Sequence, residues 1–277
     1  MKKLNDLPDD ITETVSAALR EDIGSGDLTA ELIPADASSR AEVVCRQEAV
    51  LCGTAWFDEV FRQLDETVEV KWLVEDSGSI NADQIVCQIQ GPTRTLLSGE
   101  RSALNFLQLL SGTATLTRGY VQQLGDSKTR LLDTRKTIPG LRTAQKYAVS
   151  CGGGKNHRIG LFDAILIKEN HILAAGSIEK AVTQAKLSST AVEVEVENIE
   201  ELKQAISAGA DSILLDNFNL DSMHKAVQLN NGRALLEVSG GVEIDKLKAI
   251  AESGVDYISV GALTKHVHAV DFSMRIL

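Results

Sequence analysis

The sequence is short of three things, and each shortage removes a class of protein. Cysteine occurs only at Cys45, Cys52, Cys87 and Cys151, with neither a CxxC pair nor a metal-ligand spacing, so reduced, mostly buried thiols are expected rather than a disulfide scaffold. Cys151 precedes a Gly-rich turn, but nothing else marks it as reactive. No apolar run approaches the roughly 20 residues that span a bilayer, and the opening Met1 Lys2 Lys3 Leu4 Asn5 Asp6 lacks the apolar segment of a signal peptide. The expectation is a soluble, cytoplasmic protein with no membrane partner. Positive charge is the scarcer sign, 28 Lys and Arg against 39 Asp and Glu, a formal net charge of -11.

The positive charge that is present is concentrated. Residues 135 to 171 hold Arg135, Lys136, Arg142, Lys146, Lys155, Arg158, Lys168, His157 and His171 against only Asp163 and Glu169. A nucleic-acid binder spreads its positive charge over a surface, whereas a basic pocket in an acidic protein suits a small, highly anionic ligand bearing phosphate and carboxylate groups. A run of Lys and Arg is ordinarily a solvated helix face. Here the residues fall instead at strand ends and in Gly-rich turns.

With 277 residues, 43% hydrophobic and 24% charged, the chain can bury a core of one large or two ordinary domains. From residue 130 short apolar runs alternate with helical periodicity. The runs are Leu131 to Asp133, Ala164 to Ile167, Val192 to Val196, Ile213 to Leu215, Ala234 to Val238 and Tyr257 to Val260. Between them Leu141 to Val149, Ile178 to Leu187, Ile199 to Ala208 and Ile244 to Ser253 repeat apolar residues three or four apart. Strand–helix repeats imply a parallel sheet covered by helices. The later strand ends, near Glu195, Asp216, Val238 and Val260, recur every 21 or 22 residues, which suits a barrel; with six strands visible, it is incomplete or distorted.

The first 110 residues read differently. Asp9 to Glu21 predicts a helix, Ala41 to Val50 and Thr67 to Val74 predict strands, and Asp76 to Gly91 resembles the hairpin of a hammerhead module without a lysine for biotin or lipoate. Ser98 is a plausible cap for a long helix from Gly99 toward Leu124, interrupted by Gly112 and Gly119. The fold class is therefore α/β: an N-terminal hammerhead-like sandwich domain over 1–112 and a C-terminal incomplete (β/α) barrel over 113–277, whose extreme C-terminus is free to pack back on the first domain.

Barrel chemistry comes from the carboxyl ends of strands. In order these deliver Asp133, Thr134, Arg135 and Lys136; Lys168, Glu169, Asn170 and His171; Glu195; Asp216 and Asn217; Glu237 and Ser239 before Gly240 and Gly241; and Gly261 and Ala262. Gly-containing turns admit phosphate oxygens to backbone N–H groups. Glu193, Glu195 and Glu197 alternate on one strand face, which is costly in a barrel mouth without a metal or a basic partner.

These residues resemble the quinolinate phosphoribosyltransferase family over nearly the whole chain. The resemblance is carried by Glu21 Asp22 with Gly26 Asp27, Glu100 Arg101 with Leu104 Asn105, Ser111 Gly112, Asp133 Thr134 Arg135 Lys136 Thr137 with Pro139 Gly140, and Gly152 Gly153 with Asn156 His157 Arg158. It continues in Lys168 with Asn170 His171, Glu193 Val194 Glu195, Leu215 Asp216 Asn217, Ser239 Gly240 Gly241 and Val260 Gly261 Ala262. The resemblance implies a pentosyltransferase of NAD biosynthesis that joins quinolinate to phosphoribosyl pyrophosphate with loss of carbon dioxide, giving nicotinate mononucleotide and pyrophosphate. It implies Mg2+ as cofactor and a homodimer, or higher oligomer, with a shared active site and no nucleic-acid partner.

Carried over residue by residue, Arg101, Arg135, Lys136, His157, Arg158 and Lys168 surround the pyridine dicarboxylate and diphosphate. Glu195 and Asp216 lie near the ribose hydroxyls and magnesium, directly or indirectly. Ser239, Gly240 and Gly261 cradle the 5-phosphate. Lys136, Lys168, Glu195 and Asp216 are the expected catalytic set. Two alternatives use the same scaffold: a family paralogue acting on another pyridine or phosphorylated ligand, and a barrel aldolase with Lys168 as Schiff-base nucleophile. A non-catalytic phosphate-binding protein is a third.

Overall fold

A computed structural model describes residues 7–277; the opening Met1 to Asp6, read above for a targeting signal, lies outside the described residues. The strands in chain order are β1 (Ser38–Cys45), β2 (Ala49–Val50), β3 (Glu69–Trp72), β4 (Ser79–Ile80), β5 (Ile85–Pro92), β6 (Arg130–Leu132), β7 (Ile165–Ile167), β8 (Val192–Val196), β9 (Ser212–Asp216), β10 (Leu235–Ser239), β11 (Tyr257–Ser259) and β12 (Phe272–Ile276). Two compact units result. The first takes the described residues up to Arg118 together with Thr137–Gly153 and Leu263–Leu277, the second Gly119–Lys136 and Gly154–Ala262. Positions 112 and 113 fall inside one continuous helix, Thr93–Gln123.

The first unit is built on an antiparallel sheet in the order β12-β1-β5-β3. The C-terminal strand β12 closes one edge by pairing with β1, Ala41 opposite Ile276 through Cys45 opposite Phe272. Helix Thr54–Leu64 buries Trp56, Phe57, Val60 and Phe61, a spacing that puts all four on one face. Helix Ile11–Ile23 contributes Val15 and Leu19, one turn apart, to the same core. All four cysteines are free and buried.

Three local expectations fail here. The segment from Asp76 to Gly91 is not a hairpin, because β4 pairs with β2 while β5 pairs with β1 and β3, so the turn between them hands the chain from one sheet to another. Ser98 is no cap either. The long helix begins at Thr93, directly after Pro92 ends its strand, and the Ser98 hydroxyl donates sideways to Asp27 Oδ2 at 2.7 Å. Gly112 does not interrupt that helix; it admits the His268 carbonyl, which would lie 2.2 Å from a Cβ at this position.

The second unit is a six-stranded sheet of parallel neighbours in the order β6-β11-β10-β9-β8-β7. Every consecutive strand from β7 to β11 lies beside the next, and β6 returns beside β11. This is the strand order of a barrel opened between its first and second strands. The chain between those two strands makes an excursion, residues 137–153, that belongs to the first unit. On its return, Lys155 lies along the free edge of β6 in a single parallel bridge with Leu132. Helices such as Ile199–Ala208, capped by the Asn198 side chain on the N–H groups of Glu200 and Glu201, cover the sheet.

In the first unit Asp76 ties three segments. Its Oδ1 accepts the N–H groups of Gly53 and Thr54 at 3.1 and 3.2 Å, capping helix Thr54–Leu64, and its Oδ2 accepts the Tyr147 hydroxyl at 2.9 Å. Replacing Asp76 by Ala should cost about 2 to 3 kcal/mol, the scale of hydrogen bonds to a charged acceptor plus a lost cap. Urea unfolding of the variant against the parent measures this.

Candidate active site

The site is assembled at the carboxyl ends of the parallel strands of the second unit. Register fixes which side chains share its face. Glu195 on β8 aligns with Leu214 on β9, and Leu214 aligns with Glu237 on β10, so these three point the same way; Asp216 and Ser239 form the next layer toward the strand ends. A pocket of about 170 Å³ opens there. Arg135, Lys136, Arg158 and Lys168 line it with His157, Glu195 and Ser239, while Leu166, Leu214, Glu237 and Ser259 contribute to the wall between them.

Asp133, fully buried at the end of β6, holds the returning loop. Its Oδ1 accepts the His157 N–H at 2.8 Å and its Oδ2 the Asn156 side-chain amide at 2.7 Å. Lys155 donates its N–H to the Leu131 carbonyl, which keeps this loop in register with β6. The loop delivers Arg158, whose pKa is pulled down from its ordinary value by burial first and by the Arg135 guanidinium second. Arg135 Nε is buried without a hydrogen-bond partner. The pocket thus holds two mutually repelling guanidiniums.

Lys168 caps helix Glu169–Ala175 and forms an ion pair with Glu195. His157 Nε2 lies 2.9 Å from Glu193 Oε2 and 3.5 Å from Glu237 Oε2. Glu193 and Glu195 therefore each meet a basic partner inside the sheet, while Glu197 lies beyond the end of β8 and is exposed. Glu237 is pushed up to about 8, chiefly by burial and then by facing Glu193, with His157 and Ser259 offsetting part of that rise. His157 Nδ1 accepts the Arg158 N–H at 2.8 Å and His171 Nδ1 accepts the Lys168 N–H at 3.0 Å.

The remaining expected residues divide by location. Asp216 ends β9 beside Ser239 and accepts the Asn217 side-chain amide at 2.9 Å. Gly240, at φ +95°, is required by contact as well as by conformation, since a Cβ there would meet Asn217 Oδ1 at 2.2 Å. Gly261 lets Lys136 lie close, its Cδ 2.9 Å from where a Cβ would stand. Arg101 sits on the first unit, exposed on helix Thr93–Gln123.

Among the described residues, the groups of three or more potential metal ligands are Cys52, Asp76 and Cys151 in the first unit and His157, Glu193 and Glu237 in the second. Neither includes Glu195 or Asp216. Those two carboxylates are nevertheless hard oxygen donors on one strand-end face, which suits a magnesium ion that keeps its waters and takes phosphate oxygens from a ligand. Sequence reasoning left Asp133, Asn156, Glu237 and Ser259 without a role in the site. A charge inside the apolar run Leu235 to Val238 was the signal available for Glu237.

Comparison with known proteins then supplies the family. The model of the quinolinate phosphoribosyl transferase N-terminal domain matches residues 27–111, and that of the C-terminal domain matches residues 113–275. A probable nicotinate-nucleotide pyrophosphorylase [carboxylating] of Bacillus subtilis is 44% identical over 259 residues, 92% of this chain and 90% of that one. A quinolinate phosphoribosyltransferase [decarboxylating] of Nicotiana tabacum is 38% identical over 291 residues, covering 96% of this chain and 82% of the other. The solved nicotinate-nucleotide pyrophosphorylase of Francisella tularensis superposes with a TM-score of 0.96 at 50% identity, covering both chains in full.

The Asp133 carboxylate is the anchor of the 155–158 loop. Asp133→Ala should cost about 3 kcal/mol, because two donors lose a charged acceptor and the His157 N–H is left buried. Hydrogen exchange at the His157 amide, with urea unfolding in parallel, checks both effects.

Proposed function

The chain belongs to the quinolinate phosphoribosyl transferase family, and on that premise we propose that it transfers the phosphoribosyl group of phosphoribosyl pyrophosphate to quinolinate, releasing pyrophosphate and carbon dioxide and giving nicotinate mononucleotide for NAD biosynthesis. The observation that carries this reading is the convergence of Arg135, Lys136, Arg158 and Lys168 on one pocket of the second unit. Four cations in one small pocket need several anionic groups at once, and quinolinate with phosphoribosyl pyrophosphate brings them.

In this reading the guanidiniums of Arg135 and Arg158 take the pyridine carboxylates, since planar forks pair with carboxylates two bonds at a time. Lys136, beside Gly261, and Lys168 face the diphosphate and offset the charge that grows on it as the glycosidic bond breaks. Glu195, held by Lys168, and Asp216, held by Asn217, orient the ribose as positive charge develops at its anomeric carbon. Ser239 and the positive-φ turn at Gly240 and Gly241 offer backbone N–H groups to the 5-phosphate. A magnesium ion near Glu195 and Asp216 would supply further charge neutralisation for the leaving diphosphate.

Decarboxylation needs no base of its own. Once ribosylated, the ring nitrogen is positively charged and stabilises the electron pair left at the adjacent carbon when carbon dioxide departs. The protein's contribution is positioning and electrostatics. The aldolase alternative loses ground because Lys168 is committed to an ion pair with Glu195 and the arginines lining the same pocket have no part in Schiff-base chemistry. We assign Arg101, on an exposed helical position, to the site of the second copy in a twofold homodimer.

Nicotinate, which lacks the second carboxylate, should be a very poor substrate. Leaving a buried cation unpaired costs about 2 to 5 kcal/mol, roughly thirtyfold to several thousandfold in kcat/KM. Steady-state kinetics with quinolinate and with nicotinate, each with phosphoribosyl pyrophosphate and magnesium, test this; comparable efficiency with both acids would remove the dicarboxylate assignment.

A further inference from the structure

We propose that Cys52, Asp76 and Cys151 form a structural site in the first unit for one divalent cation of the zinc type, held by the two sulfurs and a carboxylate oxygen. The inference does not depend on the reaction proposed above.

The ligand set carries the argument. Cys52 follows β2, Asp76 lies in the turn between β3 and β4, and Cys151 ends helix Arg142–Cys151. The fold brings one ligand atom of each within 4.8 Å of the other two. A tetrahedral zinc ion, bonded to sulfur at about 2.3 Å and to a carboxylate at about 2.0 to 2.2 Å, holds such donors about 3.6 to 3.8 Å apart, so small shifts close the shell. Magnesium and calcium take shells of oxygen, whereas a pair of thiolates selects zinc. Both thiols bind after giving their protons to solvent. The sequence hides the set, because its three members come from segments far apart in the chain.

Each ligand is fixed by its surroundings. Ser111 Oγ accepts the Cys52 N–H at 3.0 Å and donates to the Cys52 carbonyl at 3.1 Å. Beside Asp76, Ser77 adopts φ +73°, a left-handed conformation uncommon for a residue with a Cβ, and its N–H bonds the Leu51 carbonyl at 2.9 Å. The turn that carries Asp76 is thereby tied to the residue before Cys52. The Gly53 and Thr54 N–H groups and the Tyr147 hydroxyl orient the Asp76 carboxylate, as outer partners of a ligating carboxylate do. A carboxylate has acceptor sites enough to keep these bonds and take a cation. The Tyr147 hydroxyl also brings an oxygen toward the fourth position.

The charges balance. Two thiolates and a carboxylate around a divalent cation leave one net negative charge, and Arg118 supplies a positive one. Its Nε donates to the Gly152 carbonyl at 3.0 Å, and its Nη2 donates to the carbonyls of Cys151 at 3.1 Å and Ser77 at 3.4 Å. Among the described residues no carboxylate is ion-paired with it. The two thiols are buried, while Asp76 and Ser77 are half-buried and give the ion its way in. Once bound, the ion ties the end of the 137–153 excursion to the rest of the first unit.

The test refolds the full-length protein from urea under reducing conditions with Zn2+, or with Co2+ as its spectroscopic stand-in, removes loose metal by gel filtration, and counts what stays. About one ion per chain should remain. The cobalt form should show thiolate-to-cobalt charge transfer with the intense d–d bands of a tetrahedral site, and metal should raise the urea midpoint. Cys52→Ser and Cys151→Ser should each lose the retained ion. Asp76→Asn, which keeps an acceptor for the helix cap, should weaken the Kd for Zn2+ at least about tenfold, read by competition with a chromophoric chelator. A wild type that retains no ion, an ion held equally by both serine variants, or an unaltered Kd in Asp76→Asn would overturn the proposal.

If the serine variants do not fold, zinc-edge X-ray absorption of the wild type decides. Two sulfur neighbours at about 2.3 Å are expected. A shell with fewer than two sulfurs, such as His157, Glu193 and Glu237 would give, overturns the site.

Discussion

Arg135 and Arg158 repel one another across the end of a parallel sheet, and much of the second unit is arranged to hold them there. Burial weakens the solvent screening that would otherwise separate them, so each must be fixed by its own backbone. Arg135 follows β6 directly. Arg158 arrives on a loop pinned to the same strand by Asp133 and by the Lys155 bridge. The acidic groups are placed with equal economy: Glu195 answers Lys168 and Glu193 answers His157, while Glu193 and Asp163 offset part of the repulsion at Arg158. The cations that line the pocket are placed to meet a ligand.

The topology explains how so acidic a chain maintains such a pocket. Parallel strands bring every strand end to one edge, and residues far apart in sequence, from Thr134 to Ser259, line a single cavity as a result. Opening the sheet between β6 and β7 frees the edge of β6 for the 155–158 loop. The barrel is incomplete at the point where the loop carrying His157 and Arg158 has to enter.

Much of this was legible in the sequence, for a physical reason. Val192 to Val196 and Ile199 to Ala208 carry unambiguous period-two and period-3.6 patterns, and both elements form over those residues. The pairing of β4 and β5 was not legible, because it is decided by distant partners rather than by the turn between them. The helix from Thr93 was read too short, since a serine at position 98 looks like a cap whether its hydroxyl turns to its own backbone or to Asp27. In the site, residue types and spacing pointed to the cations and to Glu195. Charge state was invisible: Glu237 counts as an ordinary acid until its burial beside Glu193 is seen to push its pKa up.

The central claim is that a dicarboxylate is held by these cations while its ring nitrogen is ribosylated, and that it then loses one carboxyl group. Quinolinate labelled with carbon-13 in its 2-carboxyl group, incubated with phosphoribosyl pyrophosphate and magnesium, follows that group directly. The account expects all of the label in carbon dioxide, in one-to-one stoichiometry with nicotinate mononucleotide and pyrophosphate. A ribosylated product that keeps the label, or carbon dioxide released without phosphoribosyl pyrophosphate, would contradict it.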